Sequence, residues 1–207
     1  MTSSAPSNRR KVALESFKSA SDCIGKIECG MSLFAVTRGQ FSMIDVILAC
    51  LDQTGPSAVT IWTWTVADYE VECLRVLRED GRVTHGTLVI DYGARNKNSE
   101  IIRDWKNTHG PDSVRYVVNH AKMATIKNEK FRLLIRGSMN LNCNPRFEQL
   151  DITEGGEDFD LVQSIESELP TLTDFSSGKE VYKASRVSES FDAEQLSVFS
   201  GIKKWAK

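Results

Sequence analysis

Histidine is scarce in this chain: three in 207 residues, at His85, His109 and His120. Proline is nearly as rare, with five, and no apolar run is long enough to cross a bilayer as a helix. The five cysteines, Cys23, Cys29, Cys50, Cys73 and Cys143, are odd in number and lack paired metal-ligand spacing. These shortages argue against a disulfide-built secreted scaffold, a zinc module and a membrane span. The thiols are expected to be reduced and mostly buried, with no metal and no cofactor. The polar start predicts no leader peptide, which makes a cytoplasmic location the expectation. A net charge of −2 is near neutral, so composition alone does not mark a polyanion binder.

What is present is an ordered alternation of strand and helix signals. The apolar run from Met31 to Val36 reads as a strand, and Ser42 with Asp45 forms a capping box that opens a helix through Leu51. Gly55 and Pro56 end it. The β-rich run from Ala58 to Thr65 predicts a central strand, Ala67 to Arg78 a helix, and Thr87 to Ile90 another strand. A short helix over Asn98 to Asn107 precedes a strand over Val114 to Val118. Met123 to Ile126, the polar turn Lys127 to Lys130, and Phe131 to Ile135 then read as a β-hairpin. Helices that separate successive strands imply an α/β sandwich with a mainly parallel central sheet. Three segments are expected: a polar or helical arm over 1–28, the main domain over 29–170, and a tail over 171–207. Residues Glu154 to Asp160 are acidic, and beyond Pro170 come the polar Ser176, Ser177 and Gly178 and the weakly amphipathic Phe191, Leu196, Phe199, Ile202 and Trp205. A solvated or docking tail is the expectation there.

The chemistry concentrates around the hairpin. His120 and Lys122 precede its first strand, and Gly137, Ser138, Met139 and Asn140 follow its second. Residues two apart on a strand share a face, so His120 would stand beside Lys122 and Ser138 beside Asn140. The hairpin folds the second pair back onto the first. An imidazole, an ammonium, a hydroxyl and an amide around one point suit a phosphoryl group, whose growing charge the cation and the amide can hold.

These residues resemble the HKD motif of the phospholipase D superfamily, written H-x-K, four residues, D, and then G-S-x-N after a further short strand. The resemblance implies that His120 is the nucleophile of a phosphohistidine intermediate, that Lys122 and Asn140 bind phosphate, and that Ser138 supports the site. Family members often carry a glutamate soon after G-S-x-N that orients a histidine, and Glu148 matches it here. Two departures stand out: Lys127 occupies the aspartate position, and the hairpin before Gly137 is a few residues longer than usual. Asn128 or Glu129 could stand in for the aspartate if the turn is rearranged. The family's site normally uses two motif copies, and this chain has one, since neither His85 nor His109 is followed by a matching lysine. A homodimer with a composite site across a twofold axis is therefore expected.

Charge and neighbouring residues suggest a substrate. Between Arg115 and Arg146 lie Lys122, Lys127, Lys130, Arg132 and Arg136, with Glu129 the only acidic residue. A basic patch on a phosphodiester motif suits DNA or RNA, with Lys127, Lys130 and Arg136 as substrate-binding candidates. Arg95 and Lys97 could extend it. Arg38 and Thr65, at the ends of other strands, are further candidates, although Arg38 also reads as a turn before a capped helix. Trp62 and Trp64 read either as packing beneath a helix or as a floor on which a base stacks. Three functions follow: a metal-independent phosphodiesterase or nuclease, a catalytically degenerate nucleic-acid-binding module, and a hydrolase of lipid or other small phosphodiesters.

Overall fold

A computed structural model describes residues 8–11, 19–142, 146–169 and 178–184. Cys143, Ser176, Ser177 and the apolar positions from Phe191 to Trp205 lie outside the described residues. In chain order the elements are β1 (Asn8–Lys11), α1 (Ala20–Ile24), β2 (Met31–Thr37), α2 (Met43–Thr54), β3 (Ser57–Thr63), α3 (Asp68–Glu79), β4 (Val83–Asp91), α4 (Ser99–His109), β5 (Val114–Val117), β6 (Met123–Lys127), β7 (Arg132–Gly137), β8 (Glu148–Glu154), α5 (Glu157–Glu168) and α6 (Gly178–Ala184). The strands form one eight-stranded sheet in the order β1-β2-β8-β7-β6-β3-β4-β5.

The sheet is mixed rather than mainly parallel. Pairs β1/β2, β3/β4 and β4/β5 run parallel, while β2/β8, β3/β6, β6/β7 and β7/β8 run antiparallel. The expectation of a mainly parallel sheet came from helices alternating with strands, and that pattern stops at β5. From β6 onward three strands follow one another without a helix, and such strands pair as an antiparallel meander. The third, β8, has only Leu150 and Ile152 as fully buried apolar positions among polar neighbours. It nonetheless sits between β2 and β7 and closes the middle of the sheet.

Alternation along the strands builds two cores. Val59 and Ile61 of β3, Leu88 and Ile90 of β4, Ala124 and Ile126 of β6, and Leu133 and Ile135 of β7 share one core with the buried residues of α2, α3 and α4. That core also takes in Ala20, Cys23 and Ile24 of α1, Ile27, and Val181 of α6, so segments ahead of residue 29 and beyond residue 170 contribute to it. On the other side, Leu134 packs with Phe159 and Val162 of α5, and Trp62 clusters with Val89 and Val117. α2 opens as the residues predict, with the Ser42 backbone N–H donating to Asp45 at 2.7 Å.

Two histidines and the cysteines have structural settings. His109 stacks on Trp105 at 4.4 Å between ring centroids, and a Cβ on Gly86 would lie 2.4 Å from its Nδ1, so only glycine fits there. Burial, with the Arg78 charge adding to it, pushes its imidazole down to about 4. His85 is an exposed residue of β4. Cys23 and Cys50 are buried, Cys73 is half-buried and Cys29 is exposed, and none of these four forms a disulfide with another. Burial raises the Cys50 thiol to about 12.

Candidate active site

The topology brings one set of strand ends to a single edge. β2, β3, β4, β5 and β7 finish there, and β6 and β8 begin there. Sheets of this kind gather ligands beyond the carboxyl ends of their parallel strands. His120 and Lys122 stand at this edge in the loop between β5 and β6, ahead of the strand proper. They still meet: Lys122 Nζ lies 3.1 Å from His120 Nδ1, 3.2 Å from Nε2, and donates to the His120 carbonyl at 2.8 Å. One ammonium donor goes to the His120 carbonyl, and a second can go to whichever ring nitrogen is unprotonated, since a neutral imidazole has one acceptor nitrogen.

Two neighbours hold this loop. Asn119, buried beneath it, donates through Nδ2 to the Thr63 carbonyl at 3.1 Å and to the Ala121 carbonyl at 3.3 Å, while its Oδ1 accepts the Ala121 N–H at 2.8 Å. Its own N–H donates to Asp91 Oδ2 at 2.9 Å, which ties the histidine loop to the end of β4. On the other side the Gly137 N–H donates to the Lys122 carbonyl at 3.0 Å. A Cβ on Gly137 would fall 2.4 Å from the Gln149 carbonyl oxygen, so the motif glycine is required by close packing of β7 on β8.

The Gly-Ser-x-Asn segment runs from β7 back under the histidine loop. Ser138 Oγ donates to Glu148 and accepts the Gln149 N–H at 2.9 Å. Three residues on, the Leu141 N–H donates to Thr63 Oγ1 at 3.1 Å, and Leu141 bridges Val66. Asn140 is strung between these anchors, and its Oδ1 is buried with no hydrogen-bond partner. A buried amide oxygen without a partner is costly; toward a phosphate it is the Nδ2 group of Asn140 that could donate. Desolvation lowers the Lys122 ammonium below the ordinary lysine value, while the Glu148 carboxylate acts in the opposite direction. Imidazole, ammonium, hydroxyl and carboxylate therefore occupy one electrostatic neighbourhood at the sheet edge.

Of the other expected residues, Arg38 and Thr65 lie at this edge. Arg38 follows β2, whose last residue Thr37 pairs with Glu148, and its guanidinium lies 5.4 Å from the Phe147 ring centroid. Thr65 follows β3, and its carbonyl accepts the Thr63 hydroxyl at 2.6 Å. Lys127, Lys130 and Arg136 do not form the expected patch. Lys127 ends β6, about 13 Å along the strand from Met123, and it bonds Gln163 of α5 at 3.2 Å. Lys130 sits in the turn beyond, with Nζ 5.0 Å from the Phe131 ring. Arg136 is bound by Asp151 of the neighbouring β8 at 2.5 Å and by Asp158 of α5 at 2.6 Å; Arg132 pairs with Asp160 of α5 at 2.7 Å. Side-chain parity and acidic partners from α5 dismantle the cluster that linear spacing suggested.

The turn that carries Lys127 in place of the motif aspartate is held by its neighbour. Asn128 Nδ2 donates to the Thr54 carbonyl at 2.9 Å and to Ser57 Oγ at 3.0 Å, and its Oδ1 accepts the Lys130 and Phe131 N–H groups at 2.9 and 2.8 Å. One side chain thus fixes the hairpin tip to the start of β3.

The fold has a solved counterpart. The chain resembles a polyphosphate kinase from Porphyromonas gingivalis, with a TM-score of 0.50 and 12% identity over 67% of this chain and 26% of the kinase. At that identity the likeness is one of fold alone. This chain spans about a quarter of the kinase. It is also similar, with a TM-score of 0.43 and 9% identity over 67% of this chain and 54% of the other, to TrmBL2, an archaeal chromatin protein. No family model matches the chain, and no curated protein does.

Two site residues have no signal in the sequence. Asn119 and Asp91 act through backbone contacts made by chain segments far apart, for which no local pattern exists. Trp62 and Trp64, which the sequence offers either as packing residues or as a floor for a base, part company in the structure because β3 ends at Thr63. Trp62 is buried and donates to Glu166 at 2.9 Å, as a packing residue beneath α5. Trp64 is 48% exposed, with its ring centroid 6.1 Å from that of His120.

Among the described residues, no group of His, Cys, Asp and Glu is placed to hold a metal ion. No helix among them is long and apolar enough to cross a membrane.

Proposed function

We propose that this chain is a phospholipase D-like phosphodiesterase, a metal-independent nuclease that cleaves DNA or RNA through a phosphohistidine on His120. The observation that carries this is the Lys122 ammonium within 3.2 Å of both His120 ring nitrogens, at the edge where the Ser138 and Glu148 pair also stands. A ring nitrogen of His120 attacks phosphorus, and the bond to the leaving oxygen breaks. Lys122 and Asn140 hold the non-bridging oxygens as charge builds, which lowers the barrier electrostatically. Since the chain has one such motif, a second copy completes the site across a twofold axis, and the partner's His120 protonates the leaving oxygen. Water then attacks the phosphorus, gives its proton to that second imidazole, and frees His120.

The competing reading is a degenerate nucleic-acid-binding module, motivated by Lys127 where the motif has aspartate. One experiment separates them. Purified protein and His120→Ala are incubated with single- and double-stranded DNA and RNA in EDTA, with the molecular mass in solution measured alongside. Cleavage that survives EDTA, falls by about 100-fold or more in the variant, and comes from a dimer is the expected result. Equal inertness of both proteins, with binding retained, overturns the enzyme in favour of the module. Turnover of a phospholipid but not of nucleic acid overturns the substrate class.

A further inference from the structure

We infer that the cavity beside Trp64 is a nucleobase subsite, which holds the base next to the phosphate bound at His120; this rests on the nucleic-acid phosphodiesterase reading above. A cavity of about 300 Å³ opens at the ends of β3 and β4, lined by Trp64, Thr65, Asp91, Gly93, Lys97 and Asn98 among others. Its volume lies at the low end of the range for small-molecule pockets, which suits one nucleoside-sized group rather than a longer segment.

Three observations point to a base. The first is the exposed indole: Trp64 is 48% exposed and forms a wall of the cavity, whereas its strand neighbour Trp62 is buried and serves the core. An aromatic wall offers a stacking surface for any base. The second is distance. The Trp64 ring centroid is 6.1 Å from that of His120, so a base on the indole would lie close to the imidazole.

The third is the polar lining. Asp91 accepts the Gly93 N–H at 2.8 Å through one oxygen and the Asn119 N–H at 2.9 Å through the other. A carboxylate has about four lone-pair sites, so acceptor capacity remains for an exocyclic amine, and the Lys97 ammonium supplies donors for ring nitrogens or a carbonyl. The Asp91 to Asn119 bond also couples this wall to the residue preceding His120, so the base site and the histidine loop share one joint.

Calorimetric titration of the intact protein with AMP, ribose 5-phosphate and inorganic phosphate tests the subsite. AMP should bind more tightly than ribose 5-phosphate, by roughly 5- to 100-fold for one stacked base. Trp64→Ala should erase that difference and leave ribose 5-phosphate binding unchanged, while Trp64→Phe should keep most of it. Equal affinity for the two compounds in the wild type overturns the subsite, as does an equal loss for both in Trp64→Ala. Phosphate binding with no gain from the base removes the subsite alone. A gain from the base without phosphodiester cleavage in EDTA removes the enzyme reading alone, and failure to bind any of the three counts against both.

Discussion

At the residue scale the decisive contact is between Lys122 and His120. Their spacing was legible, because His-x-Lys ahead of a predicted hairpin already brought the two together. The geometry differed from expectation: both stand in a loop rather than on a strand, and Asn119, bonded to Thr63, Ala121 and Asp91, holds that loop in place. Burial lowers the Lys122 ammonium, against the Glu148 carboxylate, and this fixes a sign for the pH dependence. If the protonated lysine holds the phosphate, activity falls as pH rises through its depressed value, so the alkaline limb lies below the ordinary lysine value of about 10.4. Removing the Glu148 charge takes away the interaction that opposes the shift. In Glu148→Gln the limb should therefore move to lower pH, in rate profiles recorded at saturating substrate. A limb that stays fixed, or moves upward, would show that Lys122 does not carry it.

At the element scale the outcome turned on β8 and α5. The helix-separated strands through β5 were anticipated because their apolar runs are long and turn residues bound them. Neither β8 nor α5 is among the expected elements: β8 is marked only by Glu148, and α5 only by the acidic run that begins at Glu154. β8 offers only Leu150 and Ile152 as apolar residues, while the apolar residues of α5, Phe159, Leu161, Val162 and Ile165, are spread round the helix among acidic neighbours, and only Phe159 and Val162 are buried. Tertiary pairing supplies what local pattern lacks. α5 is held to the sheet through Glu166, which accepts from Trp62 Nε1 at 2.9 Å and from Thr125 Oγ1 at 3.4 Å. Desolvation raises the Glu166 carboxyl above its ordinary value, despite hydrogen bonds from Trp62, Gln163 and Thr125 that lower it. A carboxyl raised in the fold keeps its proton at pH values where the unfolded chain has lost it, so its share of stability declines as pH rises past the ordinary glutamate range. Glu166→Gln keeps an acceptor for Trp62 and removes the titration. Thermal melts should show the variant gaining on wild type between pH 4 and pH 8, whereas Glu166→Ala, which strands the indole N–H, should lose about 1–3 kcal/mol. A Gln variant that falls further behind wild type as pH rises would contradict this account.

At the scale of the whole molecule, the cations of the hairpin illustrate how sequence proximity misleads. Lys127, Lys130, Arg132 and Arg136 are close in sequence, yet the strands carry the lysines to the far edge and turn both arginines toward α5, whose aspartates receive them. Arg136→Ala should therefore cost stability, about 1–2 kcal/mol in urea denaturation given one well-buried partner in Asp151. It should leave the salt dependence of nucleic-acid binding unchanged, because an arginine already paired with carboxylates releases no phosphate counterions. A flatter salt slope in this variant would return Arg136 to the substrate face. By itself the sequence determined the local chemistry and most of the elements: the His-x-Lys and Gly-Ser-x-Asn segments on a hairpin, the capped α2, and the α/β alternation, all of which depend on residues within one or two turns of each other. Only the tertiary structure decided the mixed sheet, the insertion of β8, the separation of cations from the site, and the place of Trp64 beside His120. Those depend on which distant segments pair, and pairing is set by burial and backbone hydrogen bonding across the whole sheet rather than by any local run of residues.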